Sequence, residues 1–118
     1  MIADDHSSKS PIDLSSVLER IGGDESFLKE LLNLYIEDFS EKFEELKQAI
    51  NQQNFDSIQK LGHTLKGSSG NLSLPFLQEA FFEMEKAGRE KNIAVAQQTL
   101  SLLDSEFQRL KEFLKNKF

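Results

Sequence analysis

The stretch "DESFLKELLNLYIEDFSEKFEELKQAINQQN", residues 24–54, carries a long apolar pattern of helical period. Its apolar residues recur at steps of three and four, which places them on one face of an α-helix; they are Leu28, Leu31, Leu32, Tyr35, Phe39, Phe43, Leu46 and Ile50. Asp24 is a good N-cap, and Glu25 lies in the first turn, where the helix dipole favours negative charge. The pattern predicts one amphipathic helix over about residues 24–52.

Four further segments flank this helix. Upstream, "PIDLSSVLERIGG" at 11–23 predicts a short helix that ends at a glycine pair. Downstream, helices are predicted over about 55–71, 75–90 and 92–116, and Ser73 and Pro75 are expected to start the second of these. No segment alternates with period two. Long amphipathic helices with short connections predict an all-α fold, an antiparallel four-helix bundle with a short additional N-terminal helix.

Composition limits the protein class. The chain has 118 residues, 38% of them hydrophobic, which suits one domain with one core. Residues 1–10 are polar and predicted to be a disordered tail, which leaves 11–118 as the domain. There is no cysteine and no run of 18 apolar residues, so disulfides, thiolate metal sites and a membrane span are excluded. The polar start excludes a secretory signal, and a cytoplasmic location is expected.

The net charge of −6 argues against nucleic acid as a partner, because phosphate backbones bind basic surfaces. His6 lies far from His63 in sequence, and two histidines do not make a metal site. We therefore expect no metal and no other cofactor on this chain.

The segment "IQKLGHTLKGSSGNL", residues 58–72, places a histidine among glycines within a predicted helix. On a helical wheel the expected core stripe spans roughly 80°, and His63 falls about 170° from its centre; the stripe consists of Ile58, Leu61, Leu65, Ser68 and Leu72. His63 is therefore predicted to point into solvent. A solvated histidine of no function is the simpler interpretation, and the glycines are equally compatible with close packing against another helix.

The neighbours of His63 favour a chemical role. Lys66 and Gly67 follow at three and four residues, so they lie beside the imidazole, and Gly70 and Gln59 fall on the same face. Gly67 leaves the flank of the ring open, Gly70 clears the next turn, and the Lys66 ammonium suits an incoming phosphoryl group. An unhindered imidazole beside a cation is a suitable nucleophile toward phosphorus.

The segment "HTLKGSSGNLSL" resembles the signature H-x-L-K-G-[SA]-[SA]-x-x-L of the histidine-containing phosphotransfer (HPt) domain family. The likeness extends over about residues 12–115. It implies a phosphoryl carrier that takes the group on Nε2 of His63 and passes it between receiver-domain aspartates. It further implies that Lys66 neutralises phosphoryl charge, that Gly67 gives the receiver access, and that Ser68 serves helix packing.

By spacing, the resemblance places Glu85 where relatives hold a polar residue that bonds the imidazole Nδ1. Many relatives have glutamine there, so the glutamate is a departure. Arg89, one turn on, matches a second basic residue of some relatives. With Gln59 and Gly70 it is expected to contact the partner, together with apolar residues such as Ile12, Leu14 and Ile36.

The implied partners are response-regulator receiver domains and a hybrid sensor histidine kinase, and Mg²⁺ is expected on the receiver. We expect a monomer without autokinase activity, because "HTLKGS" lacks the Glu and Pro of H-E-[LIV]-[RK]-T-P and no ATP-binding domain is present. The initial Met favours a free-standing protein over a piece of a hybrid kinase. The alternative function is a helical interaction bundle that binds a receiver or kinase without phosphotransfer.

Overall fold

The structure, a computed structural model, describes residues 9–118, and within them it contains five α-helices. They are α1 (Leu14–Arg20), α2 (Glu25–Asn51), α3 (Phe55–Asn71), α4 (Pro75–Arg89) and α5 (Ile93–Lys117). The all-α fold class is confirmed, and the four long helices match their predicted ranges to within about two residues. Residues 1–8 of the predicted tail, including His6, lie outside the described residues.

Four of the described helices begin at side-chain caps, and the first of them is α1, where the carboxylate of Asp13 accepts the Ser16 N–H at 3.2 Å. The carboxylate of Asp24 accepts the Phe27 N–H at 3.0 Å, and Asn54 and Asn92 start α3 and α5 in the same way. Each such cap stabilises its helix by about 1 kcal/mol. These caps explain why the predicted helix starts are close to the observed ones.

Ser73 does not cap α4, contrary to the sequence prediction. Leu74 occupies the N-cap position without a side-chain bond, and Pro75 lies in the first turn as expected. Ser73 has a φ of 56° in the left-handed region, and its hydroxyl accepts a hydrogen bond from Arg20 and donates one to Ser16. The residue therefore ties α1 to the turn between α3 and α4.

The long helices pack in the ring order α2, α3, α4, α5, so that α3 and α5 lie diagonally across the bundle. Phe39 lies at the centre of the core, where its ring stacks on Phe107 at 3.8 Å between centroids and meets Phe81 at 5.6 Å. Such aromatic pairs add to the stability gained by burying apolar area. Ile12, expected to contact a partner, is only 2% exposed and belongs to this core. Leu14 and Ile36 are half-buried and pack against it.

The buried face of α3 differs from the predicted stripe by a rotation of about 50° on the wheel. It consists of Ile58, Gly62, Leu65 and Ser69. Ser69, not Ser68, is the small residue in the interior. Its hydroxyl donates to the Leu65 carbonyl at 2.7 Å and accepts from the Tyr35 hydroxyl at 2.7 Å. Burial raises the pKa of the Tyr35 hydroxyl, which stays protonated and donates.

Two glycines allow α3 and α4 to touch through their backbones. A Cβ on Gly62 would lie 2.6 Å from the Glu85 backbone nitrogen. A Cβ on Gly88 would lie 2.5 Å from the Gln59 backbone nitrogen. Neither distance is compatible with a side chain unless a helix moves, so close packing is the reason for these two glycines.

We expect Gly88→Ala to destabilise the fold by about 1–3 kcal/mol, because the added methyl group collides with backbone atoms that do not yield. Gly67→Ala is the matched control, since a Cβ there meets nothing within 4 Å. It should raise stability by up to about 1 kcal/mol through helix propensity. Urea unfolding of both variants measures the difference. Equal effects of the two substitutions would contradict the packing explanation.

Candidate functional site

His63 lies on the outer face of α3 and, as predicted, points into solvent. Its side chain is 69% exposed. The ring nitrogen Nδ1 lies 3.0 Å from Oε2 of Glu85 on α4, and within residues 9–118 the other nitrogen, Nε2, makes no hydrogen bond. The imidazole is therefore held at one nitrogen and open to a reactant at the other.

The Glu85 carboxylate bridges His63 and Lys66. Its second oxygen, Oε1, accepts a hydrogen bond from the Lys66 ammonium at 2.7 Å, and its side chain is only 11% exposed. The hydrogen bond from Lys66 lowers the pKa of Glu85 against the opposing effect of burial, and the bond from His63 lowers it further. Glu85 is therefore ionised at neutral pH and accepts a hydrogen bond from the Nδ1–H group of His63.

This arrangement selects one form of the neutral imidazole. A carboxylate only accepts hydrogen bonds, so the ring proton is placed on Nδ1 and the lone pair on the exposed Nε2. The same carboxylate stabilises the positive charge that develops on the ring when Nε2 bonds to an electrophile. The chemistry that the site can perform is nucleophilic attack from Nε2.

The position of Glu85 follows from the packing of the two helices. Gly62, the residue before His63, faces the Glu85 backbone in the contact described above. Because the two backbones touch there, a short glutamate side chain reaches the imidazole on the neighbouring helix. The tight contact between α3 and α4 thus builds the site.

Lys66 is partly exposed and contacts two residues of α4. Its ammonium bonds to Glu85 and lies 5.5 Å from the centroid of the Phe82 ring, a cation–π contact. An ammonium has three donors, and the carboxylate oxygen uses one of them. Lys66 can therefore hold Glu85 and still offer a donor to an anion beside His63.

The other predicted site residues are arranged around this centre. Gly67 is exposed, and the space beside it is open, as expected. The space beside Gly70 is not open, because a Cβ there would lie 2.7 Å from the side-chain amide of Gln78. Gln59 is half-buried against Gly88, and Arg89 is exposed at the end of α4. Their contacts with a partner stay predictions.

Sequence reasoning missed Phe82 as a neighbour of the site. The signal was available, because Phe82 precedes Glu85 by three residues and shares its face of α4. Gly62 and Ser69 were also missed as interior residues. Within residues 9–118, no group of three or more histidine or acidic side chains is arranged to hold a metal ion. No helix in that range is long and apolar enough to cross a membrane.

Comparisons with known proteins show the family and the fold of the chain. The family model described as "Hpt domain" matches residues 30–113. The crystal structure of histidine-containing phosphotransfer protein B (HptB) from Pseudomonas aeruginosa PAO1 is similar in fold, with a TM-score of 0.83 and 20% sequence identity. That match covers 91% of this chain and 93% of the other. No curated protein matches the chain significantly.

We expect neutral His63 to carry its proton on Nδ1, which ¹⁵N shifts and ring correlations in NMR spectra report directly. Replacing the acceptor in Glu85→Ala should return the ring to the solvated mixture, in which the Nε2–H form dominates. The His63→Gln variant identifies the signal. Glu79→Ala, at an exposed glutamate of the same helix, is the control and should change nothing. An Nε2–H ring in the unaltered protein would contradict the assigned hydrogen bond.

Proposed function

Because the chain belongs to the Hpt domain family, we propose that it carries phosphoryl groups on Nε2 of His63 between the phosphoaspartates of receiver domains. The observation that carries the proposal is the exposed imidazole whose Nδ1 lies 3.0 Å from a buried, ionised glutamate. A multistep phosphorelay requires such a carrier, which accepts a phosphoryl group from one receiver and donates it to another.

In the accepting step, the Nε2 lone pair attacks the phosphorus of an aspartyl phosphate on the receiver. The N–P bond forms as the bond from phosphorus to the aspartate oxygen breaks, and the aspartate leaves as a carboxylate. The ring keeps its Nδ1 proton and becomes positively charged, which Glu85 stabilises. The donating step is the reverse, with a second receiver's aspartate as the nucleophile.

The proposed roles of the neighbours follow from charge and space. Lys66 offers a donor to the phosphoryl oxygens, whose negative charge is spread over three atoms during transfer. Gly67 leaves room for the receiver, and Gln59, Gly70 and Arg89 contribute partner contacts. In-line positioning and charge stabilisation are the main requirements of phosphoryl transfer, and a docked pair of proteins can supply both.

We propose no cofactor for this chain, and the Mg²⁺ of the reaction is assigned to the receiver. We also propose that the chain lacks autokinase activity and obtains its phosphoryl group from the receiver of a hybrid sensor histidine kinase. It acts as a monomer in the cytoplasm. A bundle that only binds receivers would not need the Glu85 bridge to His63 and Lys66.

The test follows a labelled phosphoryl group from a phosphorylated receiver domain to the purified chain. We expect a stable label on the unaltered chain, labile in acid and stable in alkali, as a phosphohistidine is. His63→Gln should abolish the label. His6→Gln is the matched control, because the chain has only two histidines, and it should be labelled normally. A label that survives His63→Gln would overturn the proposal.

A second test concerns access to the imidazole. We expect Gly67→Gln to fold normally but to slow transfer by about tenfold or more, because a long side chain would then stand where the receiver must approach. Gly67→Ala, with only a methyl group, should have a much smaller effect. The measurements are initial transfer rates and circular dichroism of each variant. An unchanged rate for Gly67→Gln would show that access does not depend on this glycine.

A further inference from the structure

One exposed aromatic side chain adjoins the proposed phosphorylation site. Within residues 9–118 the exposed large apolar side chains are Phe27, Leu34, Phe82, Leu102 and Phe118. Phe82 alone among these five is tied to the site by a described contact, since the Lys66 ammonium that bonds to Glu85 also lies 5.5 Å from its ring centroid. Yet Phe82 is still 44% exposed.

Phe82 belongs to a continuous surface on the first half of α4. Pro75, Gln78, Glu79 and Phe82, with Lys66 of α3, line a shallow cavity of about 360 Å³. All four α4 residues are exposed. We call these four residues the α4 surface. It has an apolar ring, an amide and one acidic group, and it begins where the phosphoryl group would be bound.

A protein that reacts at His63 would also cover the α4 surface if its interface is of standard size. A standard interface covers about 800 Å² on each partner, which corresponds to a disc of roughly 16 Å radius. The contacts from His63 through Glu85 and Lys66 place the Phe82 ring within roughly 14 Å of the imidazole. A receiver centred on Nε2 of His63 would therefore cover Phe82.

We infer that the α4 surface is part of the receiver docking interface and that Phe82 is an apolar anchor of the complex. The inference rests on the proposed function. The occupant is the receiver domain, because the α4 surface adjoins the imidazole to which that domain delivers its phosphoryl group. Aromatic residues are enriched in interfaces, where burial of a large ring contributes strongly to affinity. Continuity with the reacting histidine distinguishes Phe82 from the other exposed apolar side chains.

The experiment measures phosphotransfer at increasing concentrations of a phosphorylated receiver. The probe is the receiver from the source organism that transfers fastest to the unaltered chain. Phe82→Ala should raise the half-saturating concentration about tenfold and leave the limiting rate unchanged, because docking is weakened and the chemistry is not. Leu102→Ala is the matched control, since Leu102 is similarly exposed (42%) on α5, diagonally across the bundle from α3. It should leave both values unchanged.

Phe82→Leu separates docking from a merely structural role. Leucine keeps an apolar side chain but lacks the ring that contacts the Lys66 ammonium, so it should restore most of the affinity. If Phe82 served only to hold Lys66, leucine would behave like alanine and the limiting rate would fall in both variants. That result, or an unchanged half-saturating concentration in Phe82→Ala, would overturn the inference.

The two proposals fail in different ways. Normal labelling of His63 together with insensitivity to Phe82→Ala rejects the docking role and leaves the carrier function intact. Absence of any label on the unaltered chain, with every receiver of the source organism, rejects the carrier function and the docking role with it.

Discussion

Contact between the backbones of α3 and α4 is the constraint on which the site depends. Gly62 and Gly88 each face a backbone nitrogen of the other helix, at Glu85 and Gln59, so neither position has room for a Cβ. Helices separated by ordinary side chains have axes 8–10 Å apart. A Cβ at either glycine would push α4 away from α3, and the Glu85 carboxylate would move away from Nδ1 with it. Without a side chain between them, the carboxylate reaches Nδ1 directly.

The contact between α3 and α4 also brings the Glu85 carboxylate close to the two groups that compensate its charge, Lys66 and His63. A carboxylate as buried as Glu85 is costly unless cations or hydrogen bonds compensate it. Lys66 supplies the larger compensation and His63 the smaller, and together they keep the pKa of Glu85 low. Because the carboxylate is ionised, it has no proton to donate and only accepts a hydrogen bond from Nδ1–H. This fixes the tautomer of the neutral imidazole. Lys66 thus contributes to nucleophile orientation through Glu85 as well as offering charge to an anion.

The sequence was sufficient for the helices and for the exposure of His63, because caps and three- and four-residue spacings are local signals. The sequence was insufficient where contacts with other parts of the fold determine the burial or the conformation of a residue. The buried face of α3 is centred about 50° from the predicted stripe, because Gly62 and Ser69 pack inside although neither is a large apolar residue. Ile12 was placed in the predicted short helix, but α1 begins only at Leu14, and the burial of Ile12 depends on tertiary packing. Ser73 was expected as a cap, and its left-handed conformation and contacts with α1 depend on tertiary structure.

Glycine shows this limit most clearly, because its absence of a side chain has two opposite uses within one helix of this protein. At Gly62 it admits the backbone of α4, and at Gly67 it leaves open space on the solvent side. Both residues are glycines of α3, and only the position of α4 distinguishes the buried glycine from the exposed one. That position is set by the turn after α3, where the N–H groups of Ser73 and Leu74 bond back to Gly70 and Ser69.

The turn also sets the register of the pair. Gln59 faces Gly88, and Gly62, three residues later in α3, faces Glu85, three residues earlier in α4. The two helices are therefore antiparallel and in a fixed register. If α4 packed one residue out of this register, each of its side chains would be rotated by about 100° relative to α3. Glu85 would then leave His63, and Phe82 would leave Lys66. The compact turn at residues 71–75 therefore helps to set where Glu85 and Phe82 lie relative to His63 and Lys66.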